Sequence, residues 1–414
     1  MMGNTRIVKN TVFLYILTFS NYFLGLILFP FLSRTLSVEN FGLVGFSMSF
    51  VLIFQMIVEY GFSISATALI SKNRQNKGEI NSIVSDVLWS KVFLMIIALF
   101  IYLNCYVFID MIRTNFLIVS LFLLDAFIKA FLPDFYFRGI EEMQTITIRT
   151  VIAKVLCLSL AVIFVRSNEE LILVPISYIF GDLIALSITY YSMFQKGIKI
   201  NISSFKKMRY LMADGFLFFV SRLAVSINNS IGSFFLGLVF SPSSIQSGIL
   251  AGITKVTTAG EMMLTPINDS IYPHMIKEKD YTLLKKIIIY GGIIWTIGCG
   301  IIFLFSDLVC SIILGPQYGT AGVYLRILLV NTYFAFYSIF LGYPALSPIG
   351  KSNYANAAIP IATIINLVMY LILFFSKNIS LINVLVVMAT MNIIMVIFRS
   401  IVLYKNRKLI VKKV

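Results

Sequence analysis

The chain has 414 residues, of which 59% are hydrophobic and only 12% charged, with a mean hydropathy of +0.93. A soluble domain holds about 45–50% apolar and about 25% charged residues, so a secreted, disordered or collagen-like chain is excluded and an integral membrane protein is indicated. A net charge of +15 would suggest nucleic acid in a soluble protein; in a membrane protein it is charge retained by cytoplasmic loops.

Arg6 and Lys9 precede an uncharged stretch from Asn10 to Ser33. It is longer than the apolar core of a cleaved signal peptide and has no small-residue cleavage site, so it is read as the first helix, 11–32. Further apolar stretches long enough to cross a bilayer follow at 41–70, 88–109, 115–136, 144–165, 171–194 and 211–239. The remainder lie at 245–268, 287–306, 324–346, 354–376 and 380–403. An all-α membrane protein of about 12 transmembrane helices is expected. The connection at 196–209, the longest strongly basic loop, falls mid-chain and suggests two six-helix bundles, 1–200 and 201–414.

The loops test that count. With the N-terminus cytoplasmic, the even loops and termini hold Arg6, Lys9, Lys72, Arg74, Lys77, Arg138, Lys196, Lys199, Lys206, Lys207 and Arg209. They also hold Lys277, Lys279, Lys285, Lys286, Lys351, Lys405, Arg407, Lys408, Lys412 and Lys413. The opposite side has Arg34, Arg113, Arg166 and Lys377, a split of twenty-one to four that obeys the positive-inside rule. The charge therefore reports topology and not nucleic acid, and both termini are expected in the cytoplasm.

Two short segments echo one another: Ser37–Gly45, leading into the second span, and Ser241–Ile249, leading into the eighth. Repeated halves in transporters leave such traces, and chance likeness between two short polar loops accounts for them as well. No loop is long enough for the ordered catalytic segment that a membrane polymerase or lipid-sugar transferase needs.

Charges inside spans are costly, about 2.5–3.5 kcal/mol each at a helix centre, so each must pair, reach the interface or face water. Asp125 and Lys129 are four apart and can neutralise one another. Lys91, Arg149, Arg326 and Arg399 lie near span ends, within reach of headgroups. Lys154 sits deeper.

Arg222 and Lys255 each fall near mid-depth, and Asp214 precedes Arg222 by eight residues on the same helix. With Asn228, Asn229 and Ser230 further along, that helix carries a polar stripe. A polar stripe with a central arginine suggests a water-filled cationic lumen suited to a phosphate or pyrophosphate. Glu59, with no local basic partner, is a natural site for proton or cation coupling, or equally a protonated structural hydrogen-bonding group.

Other motifs carry nothing. Ala345–Ser352 matches a relaxed phosphate-loop pattern but joins two apolar spans without a βαβ unit. His274 is the sole histidine, so histidine metal sites are excluded and a serine triad is disfavoured. Cys105, Cys157, Cys299 and Cys310 lie in or beside apolar stretches without disulfide or zinc spacing. No cofactor or metal is expected.

Specific residues then become recognisable. Pro133–Met143 resembles the segment closing the fourth helix of polysaccharide-unit flippases of the Wzx type, with Phe135 where that family usually has Trp and Arg138 where it usually has Gln. Leu36–Val44 resembles that family's opening of the second helix, and Glu59–Ser63 its acidic-aromatic-Gly step. Ile313–Tyr318 through Leu325–Leu328 is similar to the segment between its ninth and tenth helices, and Asp214–Met275 follows its seventh and eighth helices.

The resemblance implies a member of the multidrug/oligosaccharidyl-lipid/polysaccharide (MOP) exporter superfamily, with two bundles around a central cavity that opens alternately to either side. It implies a cargo of undecaprenyl-pyrophosphate-linked O-antigen or capsule repeat units, flipped from the cytoplasmic to the periplasmic leaflet of the bacterial inner membrane. Arg222, Lys255 and Lys154 would then face the pyrophosphate and Asn228 and Asn229 the sugar hydroxyls. Glu59 or Asp214 would exchange protons or Na+. A polysaccharide polymerase and a chain-length regulator are the implied protein partners. A lipid II flippase or drug exporter of the same superfamily, or a membrane polymerase or transferase, are the competing readings.

Overall fold

The computed structural model describes residues 27–411 together with Phe13, Ile16, Leu17 and Ser20. Among these residues every regular element is a helix and no strand occurs. Hydrocarbon offers no partner to a backbone N–H or C=O, so a spanning segment must bond within itself. Ten of the helices are long and apolar enough to cross a membrane.

They follow the expected spans closely. Met143–Phe164, Leu173–Gln195, Ser352–Phe375 and Leu381–Lys405 match to within a few residues. The expected first span, 11–32, lies largely outside the described residues. The expected eighth is the helix Ile245–Met262, which carries Lys255 and Glu261 and is not among the ten.

The third, expected as 88–109, begins earlier and runs Lys77–Phe108, and three further spans differ in form. The second, expected as 41–70, is two helices, Val38–Glu59 and Phe62–Lys72. They break at Tyr60 and Gly61, whose φ values are 47° and 77°. The seventh lengthens to Phe205–Phe240, 36 residues, or about 54 Å at 1.5 Å per residue, so its basic first turns extend beyond the hydrocarbon. The ninth begins at Tyr281 and contains a π-turn at Ile287–Gly291 before continuing as Gly292–Leu304.

The described residues form two compact units, the first from those up to 31 and from 47–226, the second from 32–46 and those from 227 onward. Phe62, Ile70, Val84, Val87, Phe135 and Phe137 centre the core of the first. In this unit Met143–Phe164 and Leu173–Gln195 pack so closely that a β-carbon on Gly181 would lie 2.5 Å from the Ala153 carbonyl oxygen. Small residues allow such approach where no hydrophobic force drives helices together. In the second unit Leu264, Met275, Leu284, Phe336 and Phe340 form the corresponding core.

Three basic residues expected to reach the headgroups do not. Lys91, Arg149 and Arg399 are only 3%, 4% and 6% exposed. Each is held by protein groups instead. Arg399 donates to the Ser338 hydroxyl and carbonyl and to the Ala355 carbonyl, and Arg149 pairs with Asp134. Inside low-dielectric packing these bonds replace water. Arg326 pairs with Asp307 at 3.0 Å and bonds the Ser306 hydroxyl at 2.7 Å.

Candidate functional site

The break after Glu59 builds the site. Tyr60 and Gly61 turn the chain through left-handed backbone that glycine adopts without cost. A β-carbon on Gly61 would stand 2.9 Å from that of Phe218, so the turn lies directly on the Phe205–Phe240 helix. Tyr60 stacks on Phe219, ring centroids 4.4 Å apart and planes 11° from parallel. The next turn of that helix presents Arg222. The Glu59 carboxylate meanwhile accepts a hydrogen bond from Gln55 Nε2 at 2.8 Å, one helical turn earlier.

A second segment arrives from the end of the fourth span. The Phe116–Ala130 helix stops before Pro133, because proline disfavours helical backbone in the residue ahead of it. Its last carbonyls are left without intrahelical partners. Lys91 supplies them, donating to Ala130 O at 2.6 Å and Leu132 O at 3.5 Å. Its ammonium also lies 5.2 Å from the Phe135 ring centroid, where a cation is favoured.

After Pro133 the short helix Asp134–Gly139 begins. It is pinned from outside by Arg74, which donates to Gly139 O at 2.7 Å and pairs with Glu141 at 2.7 Å. Asp134 and Arg138 are four apart and share one face of it.

Together these segments enclose a cavity of about 150 Å³ within the first unit, lined by Glu59, Ser63, Lys91, Lys129, Asp134, Phe135, Arg138 and Arg222 among others. Four cations face two carboxylates. The volume is below the roughly 300–1,000 Å³ of a drug-sized ligand pocket, so it suits a small anionic group and not a whole oligosaccharide. Guanidinium groups bind phosphate oxygens in pairs, which an ammonium does less specifically.

Behind the cavity, Lys129 bonds Asp125 at 2.6 Å and Asp182 at 3.4 Å, and lies 4.9 Å from the Tyr178 ring centroid. Lys154, half-buried on the neighbouring helix, is within electrostatic reach of Lys129 and Asp182.

Of the residues singled out from sequence, Glu59 and Arg222 line this one cavity. Asp214 is exposed, two turns before Arg222. Asn228, half-buried, and Asn229, exposed, fall in the second unit, as does the half-buried Lys255. The second unit has its own polar centre. Glu261 accepts hydrogen bonds from Thr332 Oγ1 at 3.2 Å and Asn331 Nδ2 at 3.3 Å, and Asn392 donates to Asn331 through its backbone and its amide.

Sequence reasoning passed over Lys91, Lys129, Asp134 and Arg138 as site residues. The i, i+4 spacing of Asp134 and Arg138 was an available signal. Nothing in the sequence places Lys91 beside Ala130.

Two curated relatives carry the name "Putative O-antigen transporter". The one from Escherichia coli (strain K12) is 28% identical over 328 residues, covering 77% of this chain and 78% of its own length. The one from Shigella dysenteriae is 26% identical over 371 residues, covering 87% of this chain and 91% of its own.

Solved structures share the fold. An inward-facing multidrug resistance MATE family transporter of the MOP superfamily aligns with a TM-score of 0.71 at 15% identity, covering 97% of this chain and 98% of that one. The lipid II flippase MurJ in its inward closed conformation aligns with a TM-score of 0.73 at 14% identity, covering 97% and 90%. Residues 7–279, which include every segment lining the cavity, match the polysaccharide biosynthesis protein family, and the chain belongs to that family.

Proposed function

We propose that this protein is a transporter of polysaccharide building blocks that flips lipid-linked O-antigen or capsule repeat units across the bacterial inner membrane. One observation carries the reading. Two of the segments that resemble polysaccharide-unit flippases, Glu59–Ser63 and Pro133–Met143, converge with Arg222 on a single cavity of net positive charge. That cavity matches a pyrophosphate in charge and size, and leaves the sugars and the lipid tail outside it. The relatives named as O-antigen transporters supply the cargo class.

In this reading the cargo is carried on undecaprenyl pyrophosphate. Both termini are cytoplasmic, and the two bodies of an alternating-access cycle follow the sequence halves 1–200 and 201–414 apart from 32–46 and 201–226, which pack with the other half. Lys255 and Lys154 add positive charge along the route, Asn228 and Asn229 bond sugar hydroxyls, and Glu59 or Asp214 couples the cycle to protons or Na+. The chemistry is binding and movement, with no bond made or broken. Polymerase and chain-length regulator act on the delivered units.

The deciding experiment deletes the gene in its host and examines lipid-linked intermediates by mass spectrometry and surface polysaccharide by gel. Complete single repeat units accumulate and surface polymer is lost if the reading is right. Incomplete units point instead to an assembly enzyme, and surface chains capped at one repeat to a polymerase. Complementation with Arg222→Ala or Lys255→Ala then tests the cationic route: both fail to restore polymer at normal protein level.

A further inference from the structure

The span Tyr281–Leu304 is the one least covered by protein. Only 6% of its apolar stretch is buried, against 22% or more in each of the other nine candidate spans among the described residues. It packs on the helix Gly322–Leu341. The two meet closely at one end, where β-carbons on Gly291 and Gly292 would lie 3.1 Å from Phe336 and 3.0 Å from the Tyr337 hydroxyl. Just beyond, Trp295 Nε1 donates to Thr332 O at 3.2 Å. Further along a gap opens between them. Gly298 and Gly300, whose β-carbons would meet nothing within 4 Å, put no side chain into it.

The gap is a groove of about 340 Å³, with Gly300 and Phe303 on one wall, Leu329, Val330 and Phe334 on the other, and Arg326 at its end. It follows the helix from Phe303 to Thr296, or about 10 Å at a rise of about 1.5 Å per residue. Among the described residues Arg326 is the one charged group that lines it. Its Nε donates to Ser306 Oγ at 2.7 Å and one terminal nitrogen to Asp307 at 3.0 Å, leaving the other terminal nitrogen with no acceptor among the described residues. The Arg326 and Asp307 side chains are 35% and 53% exposed, so both charges are open to a headgroup. The guanidinium lies 5.8 Å from the Phe303 ring centroid, which joins the ion pair to the apolar wall.

We propose that this groove is a phospholipid-binding site. An acyl chain lies along it, and a headgroup carrying both a phosphate and a primary ammonium, as in phosphatidylethanolamine, lies across Arg326 and Asp307. The volume falls within the range of ligand pockets, about 300–1,000 Å³, and an unfilled groove would forfeit the dispersion contacts of its walls. Charge decides the headgroup. The phosphate takes the open guanidinium nitrogen in a charge-assisted bond, and the ammonium takes the half-exposed carboxylate. A purely anionic headgroup would set a like charge beside Asp307, which is unfavourable. Every residue of the site belongs to the second unit, and the inference does not rest on the flippase reading.

The test adds phosphatidylethanolamine or phosphatidylglycerol with the same acyl chains to the purified full chain in detergent micelles, and counts retained lipid by native mass spectrometry. Wild type favours phosphatidylethanolamine about threefold or more, the scale of a partly exposed ion pair. Asp307→Asn turns the preference toward phosphatidylglycerol, because the guanidinium then stands without a carboxylate beside it. Gly300→Leu and Val330→Phe each lower retention about fourfold or more, the loss of roughly one buried methylene, since both side chains take the space of the acyl chain. Leucine also favours helix over glycine, and thermal melting shows which variants keep their fold.

Equal retention of the two lipids by wild type overturns the proposal, as does an Asp307→Asn variant with unchanged preference. Unchanged retention in a folded groove-filling variant places the lipid elsewhere and overturns it too. Light scattering after size exclusion reads the remaining alternative. A dimer that becomes a monomer in Gly300→Leu or Val330→Phe, with lipid retention unaltered, gives the groove to a second copy of the chain instead.

Discussion

A β-carbon on Gly42 would stand 2.6 Å from the backbone nitrogen of Gly248. One turn on, a β-carbon on Gly45 would meet that of Ala251 at 2.5 Å, and one on Gly248 would run into the Val38 carbonyl oxygen. The start of the Val38–Glu59 helix therefore lies backbone to backbone on the Ile245–Met262 helix, within the second unit. These are the two segments that echo each other in sequence, so the likeness between Ser37–Gly45 and Ser241–Ile249 corresponds to a direct contact. Ser33 Oγ donating to Leu314 O at 2.9 Å and Gln317 Nε2 to Leu36 O at 3.0 Å fasten the same region.

Replacing Gly248 with Val should be strongly destabilising, because backbone and not a flexible side chain opposes the added atoms. Overpacking of this kind costs about 1–3 kcal/mol, and the unfolding midpoint in detergent should fall accordingly. Gly300→Ala serves as the control, since its β-carbon would meet nothing within 4 Å. Equal melting of Gly248→Val and wild type would contradict the close approach.

Gly61→Ala should disturb the site as well as the fold. At a φ of 77° an L-residue is strained, by about 1–2 kcal/mol, and its methyl would press on Phe218. Glu59 is the preceding helical end and should shift with it. Surface polysaccharide restored by the variant should drop several-fold at matched protein level. Full restoration would show that the turn geometry is not required.

Glu59→Gln separates coupling from structure. The amide keeps the bond with Gln55 but carries no titrating proton. If Glu59 exchanges a proton during the cycle, transport by the variant should be low and flat between about pH 6 and about pH 8, while wild type varies with pH. A variant that transports normally over that range would make Glu59 a structural hydrogen-bonding group.

Arg399 and Arg326 should respond unequally to alanine. Arg399 is buried and satisfies the Ser338 and Ala355 carbonyls, so its removal leaves acceptors unpaired at about 1–3 kcal/mol. Arg326 is partly exposed in its pair with Asp307, and such pairs contribute about 0–1 kcal/mol. The fraction of folded protein by fluorescence-detected size exclusion should fall clearly for Arg399→Ala and little for Arg326→Ala.

Arg138→Gln places the residue that related flippases usually carry into the cavity. Arg138 is exposed, and Lys91, Lys129 and Arg222 remain to hold an anion. The variant should keep transport within about threefold of wild type, whereas Arg222→Ala should lose it. The comparison distinguishes a bound anion from a cavity that requires every charge, since charge-assisted bonds are individually strong but share one ligand.

The sequence by itself determined what the bilayer enforces. Hydrocarbon demands helices of about 20 apolar residues, so the spans at 144–165, 171–194, 354–376 and 380–403 could be read nearly to their ends. Loop charge could be read because it is a count along the chain, and the family resemblance because its segments are contiguous. The cost of intramembrane charge also singled out Glu59 and Arg222 before any geometry was known.

What only the tertiary structure decided is which of those charges meet. Lys91 caps a helix that ends at Ala130, 39 residues away, and Arg149 and Arg399 are locked inside by Asp134, Ser338 and Ala355. Residues near a span end can as well reach the headgroups as turn inward, and sequence position does not distinguish the two. The length of the second span allowed for a turn within it, but the placing of the break at Tyr60 was not legible for a related reason. Two left-handed residues scarcely interrupt an apolar stretch, yet they bring Glu59 and Arg222 to one cavity, because the turn packs on Phe218 and Phe219 far along the chain. Pairing inside a membrane protein depends on helix rotation and crossing, set by small residues such as Gly42, Gly181 and Gly248. Those residues act through the shape of the partner helix, which no local pattern encodes.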